Sequence, residues 1–356
     1  MTDILAAAPY ALPQPAKDAA LLAGLAELTA HHRAHCPPYA RILDALGAPE
    51  QFGRVEDIPV LPVSLFKTHE LASVPADQVF KTVTSSGTTG QAVSRIRLDR
   101  DTVARQTRAL ATIMTTLLGP ERLPMVVVDS AALLRDRNAF NARAAGVLGM
   151  MTFGRQHFFA LDDDLRLDRD GLAAFLEKHA GRRVLLFGFT WIVWKHFAPA
   201  VAEAGLRFDD AILVHSGGWK RLQDEAVDNA AFQARVAAQT GITTIRNFYG
   251  MAEQVGSVFV EGEDGLLYPP TFADVIVRDP VTLAPLPPGQ TGLLQVVSLV
   301  PRSYPGHSLL TEDLGVVEHV DGGAPARCGK GFRVLGRLPK AELRGCSDVA
   351  AATEAP

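Results

Sequence analysis

Apolar residues recur at Leu21, Leu25 and Leu28 with His32 on the same stripe, a spacing that predicts an amphipathic helix ending before Cys36-Pro37-Pro38. A second apolar helix is expected over residues 39–46. Residues 58–68, IPVLPVSLFKT, hold two prolines among apolar side chains and read as extended rather than helical. Residues 79–83 read as a strand. Beyond Gly90, Ser94, Ile96 and Leu98 alternate with Arg95, Arg97 and Asp99, so the pattern is strand, loop, strand.

From about residue 100 the period changes. Asp101 can cap a helix with a face of Val103, Leu110, Ile113 and Leu117, stopped by Gly119-Pro120. Short apolar runs at 125–128, 184–187, 211–214 and 242–246 alternate with helical stretches such as 171–179 and 224–239. Buried strands in alternation with helices predict a largely parallel sheet covered on both faces, the α/β class. Past residue 270, strands at 275–278, 293–299, 315–319 and 332–335 are divided by Asp-Pro, Pro-Pro-Gly and Gly-Gly turns. They suggest a smaller β-rich subdomain at about 270–335.

Composition narrows the function. At 47% hydrophobic and 21% charged, a chain of 356 residues can bury a core without disulfides or structural metal. The net charge of -4 comes with no long basic run, which disfavours nucleic acid as a partner. Three cysteines, Cys36, Cys328 and Cys346, stand far apart and suit a reducing compartment. The start MTDILAAAPY has no basic segment of a secretory signal, and the most apolar stretch, 184–194, is about half a membrane span. The expectation is a cytoplasmic protein. His31 and His35 lie one turn apart, but no further ligand residues accompany them, so a polar helix face is preferred to a metal site.

Three loops could carry chemistry. In Thr84-Ser85-Ser86-Gly87-Thr88-Thr89-Gly90, glycines let the backbone turn its N–H groups toward an anion, and hydroxyls add donors. It is no Walker loop, since the Lys-Ser/Thr pair is missing, and alone it could be a surface hairpin. His215-Ser216-Gly217-Gly218-Trp219-Lys220 follows an apolar strand, where α/β proteins bind ligands or simply turn. In Asn247-Phe248-Tyr249-Gly250-Met251-Ala252-Glu253, the tyrosine could stack on a base and the glutamate could ligate Mg²⁺; equally, they could be a core aromatic and a solvated carboxylate.

Taken in order, the loops resemble the adenylate-forming superfamily of acyl-CoA synthetases and related ligases. The likeness lies in Ser85–Gly90, in Tyr249-Gly250-Met251-Ala252-Glu253, in Thr311-Glu312-Asp313-Leu314-Gly315 and in the hinge-like Gly336-Arg337. Within it, Ser216-Gly217-Gly218-Trp219-Lys220 and Ala341-Glu342-Leu343-Arg344-Gly345-Cys346-Ser347 resemble the LuxE-type acyl-protein synthetases. That resemblance implies a large adenylating domain over residues 1–335, with mixed and parallel sheets flanked by helices and the β-rich subdomain at about 270–335, followed by a short hinge and a cysteine-bearing tail at 336–356. It implies ATP and Mg²⁺ as cofactors, a carboxylic acid, expected to be fatty, as substrate, and an acyl reductase as partner. Ser85, Ser86, Gly87, Thr88, Thr89 and Gly90 would hold phosphates. Tyr249, with backbone from Gly217 and Gly218, would border the adenine, and Gly250 would belong to the same nucleotide site. Asp313 would accept from the ribose, Arg337 would donate to the same region, and Glu253 would place the metal. Cys346 would take the acyl group.

The sequence also departs from the wider superfamily. Residues 338–356 are too few for the usual lid with its catalytic lysine, and Gln91-Ala92-Val93 stands where the phosphate loop is usually followed by Pro-Lys. Lys220, Arg337, Lys340 and Arg344 are the cations that could offset phosphate charge. Arg344 and Lys340 would also favour the thiolate of Cys346, which stands nine positions beyond Arg337 and within about 30 Å of extended reach. Two rivals remain, a ligase passing the acyl group directly to coenzyme A and a non-catalytic acyl- or nucleotide-binding subunit. The aromatic run from Phe187 to Trp191 could line an acyl pocket or belong to the core.

Overall fold

The computed structural model describes residues 4–85, 93–134, 142–218, 227–325 and 327–338. Its helices are α1 (Gln14–His35), α2 (Pro37–Ala45), α3 (Leu65–Thr68), α4 (Arg100–Leu118), α5 (Ala142–Met151), α6 (Arg169–Lys178), α7 (Thr190–Ile192), α8 (Ala198–Glu203) and α9 (Asn229–Thr240). The strands are β1 (Leu61–Pro62), β2 (Lys81–Thr84), β3 (Arg95–Leu98), β4 (Leu123–Ser130), β5 (Gly154–Leu161), β6 (Val184–Phe189) and β7 (Ala211–Ser216). They continue as β8 (Thr244–Tyr249), β9 (Phe259–Glu261), β10 (Leu267–Tyr268), β11 (Ala273–Arg278), β12 (Thr291–Ser298), β13 (Ser308–Val320) and β14 (Lys330–Arg337).

Twelve strands form one sheet in the order β11-β12-β13-β14-β10-β9-β8-β7-β6-β4-β5, with β1 added parallel to β13. The half from β5 to β8 is parallel, because helices carry the chain back between strands. The turn to antiparallel pairing comes at β8–β9, and every pair from there to β11 is antiparallel. Thus the β-rich segment continues the hydrogen bonding of the parallel half. β2 and β3 form a separate hairpin, Lys81 to Thr84 opposite Leu98 to Arg95.

The strands expected from apolar runs all form. β4, β6 and β7 are buried along almost their whole length, as helix-covered parallel strands must be. The stripe Leu21, Leu25, Leu28 and His32 of α1 is buried as the spacing requires. Several details differ. Residues 65–68 turn into the helix α3, which begins beyond Pro62 and so escapes its restriction. The cap of α4 is Asp99, whose carboxylate accepts from Thr102 N at 2.7 Å, rather than Asp101. Its buried face includes Thr102 and Gln106 beside Ile113, while Val103, Leu110 and Leu117 are half-buried. The helix expected at 224–239 starts at Asn229, where Asp228 accepts from Ala231 N. β5, β9, β10 and α5 were not expected. β5 is the sheet's outer strand, and Arg155, Gln156 and His157 give its exposed half no apolar signal. Among the described residues, no helix is long and apolar enough to cross a membrane.

Candidate active site

The loops after β7 and β8 leave adjacent strands at the same level. Ser216 faces Phe248 in the register, and its hydroxyl donates to the Phe248 carbonyl at 3.0 Å. Gly217 follows with φ of +84°, and a Cβ there would meet the Phe189 ring at 3.3 Å. Only glycine turns at this point without strain. Gly217, Gly218 and Gly250 are exposed, so their backbone amides are open to a ligand.

Across the sheet's parallel-to-antiparallel junction, Asp313 comes to meet Tyr249. Between Leu310 and Leu314, β13 spends more residues than its partner β12 does between Gln295 and Leu293, so 311–313 bulge. Thr311 pins the bulge. Its hydroxyl donates to the Leu294 carbonyl at 2.8 Å and accepts from Asp313 N at 3.1 Å. The Tyr249 hydroxyl donates to Asp313 Oδ2 at 2.7 Å. Arg337, opposite Asp313 on β14, brings Nε to 3.5 Å from Oδ1. Burial, then the Asp313 charge, pushes the Tyr249 phenol well above its usual range, so it stays protonated and donates. The Tyr249 ring is half-buried, with Phe259 at 6.2 Å and Phe332 edge-on at 6.3 Å between centroids.

Glu253 lies in the turn 252–254 beyond β8 and is buried, 6% exposed. Its carboxylate makes no hydrogen bond or ion pair with any described residue. A carboxylate not engaged by the described cations and donors is available as an oxygen ligand to a hard cation. Next to it, Gln254 donates from Nε2 to the carbonyls of Val296 at 3.1 Å and Gly306 at 2.8 Å. The 303–307 turn thus gripped is also tied to the β2–β3 hairpin, for Ser303 donates to the Arg97 carbonyl at 2.9 Å. At that hairpin's mouth, the Ser85 hydroxyl accepts from Ser94 N at 3.0 Å.

The sequence-expected residues Ser85, Gly217, Gly218, Tyr249, Gly250, Glu253, Asp313 and Arg337 are described. Tyr249 and Arg337 each contact Asp313. Ser86, Gly87, Thr88, Thr89, Gly90, Trp219, Lys220, Lys340, Arg344 and Cys346 lie outside the described residues. Two supporting residues were missed. One is Gln254; the other is Glu261, whose Oε2 accepts from Asn247 N at 2.7 Å while Oε1 accepts from Gln233 at 2.8 Å. An acid closing the apolar run Phe259-Val260 was a legible sign of a buried acceptor. Of the aromatic run, Phe187 is fully buried, while Phe189 and Trp191 are half-buried beside the Gly217 loop and α7. His31 Nε2 donates to the Arg302 carbonyl at 3.0 Å, which fixes the proton on that nitrogen. Among the described residues, no cluster of three metal-ligating side chains occurs.

A family model described as acyl-protein synthetase, LuxE, matches residues 2–353. The chain is 27% identical over 334 residues to a long-chain-fatty-acid--luciferin-component ligase of Vibrio harveyi, covering 89% of this chain and 83% of that protein. A ligase of the same name from Aliivibrio fischeri is 26% identical over 309 residues, covering 82% and 78%. Among solved structures, 2-hydroxyisobutyryl-CoA ligase in an open conformation with 2-HIB-AMP and CoA aligns with a TM-score of 0.72 at 20% identity. That alignment covers 96% of this chain and 81% of the ligase, and it is a likeness of fold.

Proposed function

The chain belongs to the LuxE acyl-protein synthetase family, and from that premise we propose that it activates a long-chain fatty acid with ATP and transfers the acyl group to its own Cys346. The observation that carries this reading is the meeting of Tyr249, Asp313 and Arg337 beside the exposed Gly217-Gly218 turn. An aromatic, a carboxylate with lone pairs to spare and open backbone amides are the groups a nucleoside needs. The curated relatives' names supply the class of acid.

In the first half-reaction, an oxygen of the fatty acid attacks the α-phosphorus of ATP and the bond to the β-phosphate bridge breaks. The products are acyl-AMP and pyrophosphate. A carboxylate is a poor acyl donor, since its leaving group would be oxide; the mixed anhydride releases AMP instead. Ser85, Ser86, Gly87, Thr88, Thr89 and Gly90 are assigned to the phosphates, and Gly217, Gly218, Tyr249 and Gly250 to the adenine. Asp313 and Arg337 are assigned to the ribose side. Glu253 would hold Mg²⁺, which offsets charge as pyrophosphate leaves. The protein's part is then positioning and electrostatics.

In the second half-reaction, the Cys346 thiolate attacks the acyl carbon and AMP departs, leaving a thioester. An acyl reductase partner would then receive the acyl group, and the cytoplasm would be the setting. The test is fatty-acid-dependent exchange of labelled pyrophosphate into ATP. Exchange that needs the acid supports adenylation; a folded protein with no exchange for any acid from short to long chain removes it.

A further inference from the structure

Two groups touch the Asp313 carboxylate, and they differ in weight. Arg337 is 79% exposed and 3.5 Å away, so solvent screens it and its hold is loose. Tyr249 reaches Oδ2 at 2.7 Å, and Asp313 itself is only 18% exposed. A short hydrogen bond to an ionised oxygen away from water is the stronger and more directional of the two. The Asp313 backbone is already fixed by Thr311 through the bulge, so the remaining freedom is rotation of the carboxylate. The Tyr249 hydroxyl removes it.

Resting on the nucleotide reading above, we propose that Tyr249 is a positioning residue for sugar recognition. By donating to Asp313 Oδ2 it sets the plane of the carboxylate, leaving the other lone pairs to receive the ribose diol of ATP. The ring that borders the base and the acid that accepts from the sugar become one unit spanning residues 64 positions apart. A carboxylate has about four acceptor directions, so the phenol takes one without closing the site. Arg337 then serves as an outer counter-charge.

The experiment compares ATP, 2′-deoxy-ATP and 3′-deoxy-ATP in pyrophosphate exchange. Tyr249→Phe keeps the ring against Phe259 and Phe332 and removes only the donor. It should raise KM for ATP about five- to tenfold with kcat little changed, less than the full worth of a hydrogen bond to a charged acceptor because the carboxylate itself remains. The preference for ATP over the deoxy analogues should shrink by the same factor. In an Asp313→Ala background, Tyr249→Phe should add nothing, because its effect runs through the missing carboxylate. An equal rise in KM for all three nucleotides, or additive effects in the double variant, overturns the proposal. Asp313→Ala retaining full preference for ATP would defeat the ribose assignment itself and the proposal with it. Should Tyr249→Phe not fold, Asp313→Glu shifts a retained carboxylate away from the phenol and should also lose discrimination; unchanged discrimination there overturns the proposal.

Discussion

Gly306 packs on the backbone of Glu253 so closely that a Cβ at Gly306 would stand 2.8 Å from the Glu253 carbonyl oxygen. The Tyr304 ring crowds the same point from the other side, and Gln254 grips the Gly306 carbonyl at 2.8 Å. The obstacles are the fully buried Tyr304 ring and the Glu253 backbone, so relief requires moving the ring or the 253–254 turn. Gly306→Ala should therefore cost about 1–3 kcal/mol of stability, the usual range for overpacking. Urea unfolding of the two proteins measures it. Equal stability would mean that the Tyr304 ring or the 253–254 turn shifts freely to make room.

The Glu253 carboxylate leads to a second expectation. The residue is buried, and no described residue makes a hydrogen bond or ion pair to its carboxylate. Glu253→Gln keeps the shape and removes the charge. Exchange should fall by at least tenfold at limiting Mg²⁺, because a neutral amide is a weaker oxygen ligand for a hard cation than a carboxylate. Undiminished exchange at every Mg²⁺ concentration would take Glu253 out of the metal's coordination.

How much of this could be read in advance depends on where each residue gets its signal. The strands β6 and β7 were legible because burial on both faces leaves a continuous apolar run. β5 was not, since an outer strand with Arg155 and His157 on it looks like loop. Asp99 and Asp101 are equally good caps on paper, and only the backbone angles at Asp99 decide between them. Tyr249, Glu253 and Asp313 were legible as members of motifs. That the Tyr249 hydroxyl binds Asp313 was not, because it depends on the bulge at 311–313 and on the β8 to β14 strand order. Gln254 left no trace either, as its partners are carbonyls, which every residue carries.

Buried histidines set the response to acid. His32 and His307 are both fully buried and stack at 5.0 Å between centroids. His32 Nδ1 meets Ser73 Oγ at 2.7 Å, and His307 Nε2 meets Thr29 Oγ1 at 3.0 Å, so neither has an acid as partner. Burial first, and neighbouring histidines second, lower both; His307 falls to about 3. His215, buried against Thr190 and Phe232, is likewise pushed down to about 3. In the unfolded chain each would titrate near 6.5. Between those values the unfolded state binds protons that the folded state refuses, so stability is intact above about pH 6.5 and declines as the pH falls toward 3. Each histidine contributes a slope of up to about 1.4 kcal/mol per pH unit. His307→Gln should cost some stability at pH 7 yet show a shallower decline from pH 6.5 to 4.5. Urea midpoints across that range decide it, and parallel slopes for the two proteins would exclude His307 as a source.

Cys346 separates the two half-reactions. Adenylation draws on the phosphate loop, the sugar-side residues and Mg²⁺, none of which requires a thiol in the tail. Cys346→Ser should therefore keep pyrophosphate exchange within about twofold of the parent protein, the small change expected when transition-state contacts are untouched. Thioester formation needs sulfur, because a serine hydroxyl is far less ionised near neutral pH and less nucleophilic. With labelled fatty acid and ATP, the parent protein should acquire a label that hydroxylamine releases. The serine variant should accumulate acyl-AMP without it. Cys36 is a poor substitute, since it is fully buried and burial pushes its thiol up, which lowers the thiolate fraction. Cys328 is more accessible and is the control that matters. A hydroxylamine-labile label that persists in Cys346→Ser and disappears in Cys328→Ser would move the acceptor to Cys328. Absence of any protein label, together with rapid acyl transfer to added coenzyme A, would identify a direct ligase instead.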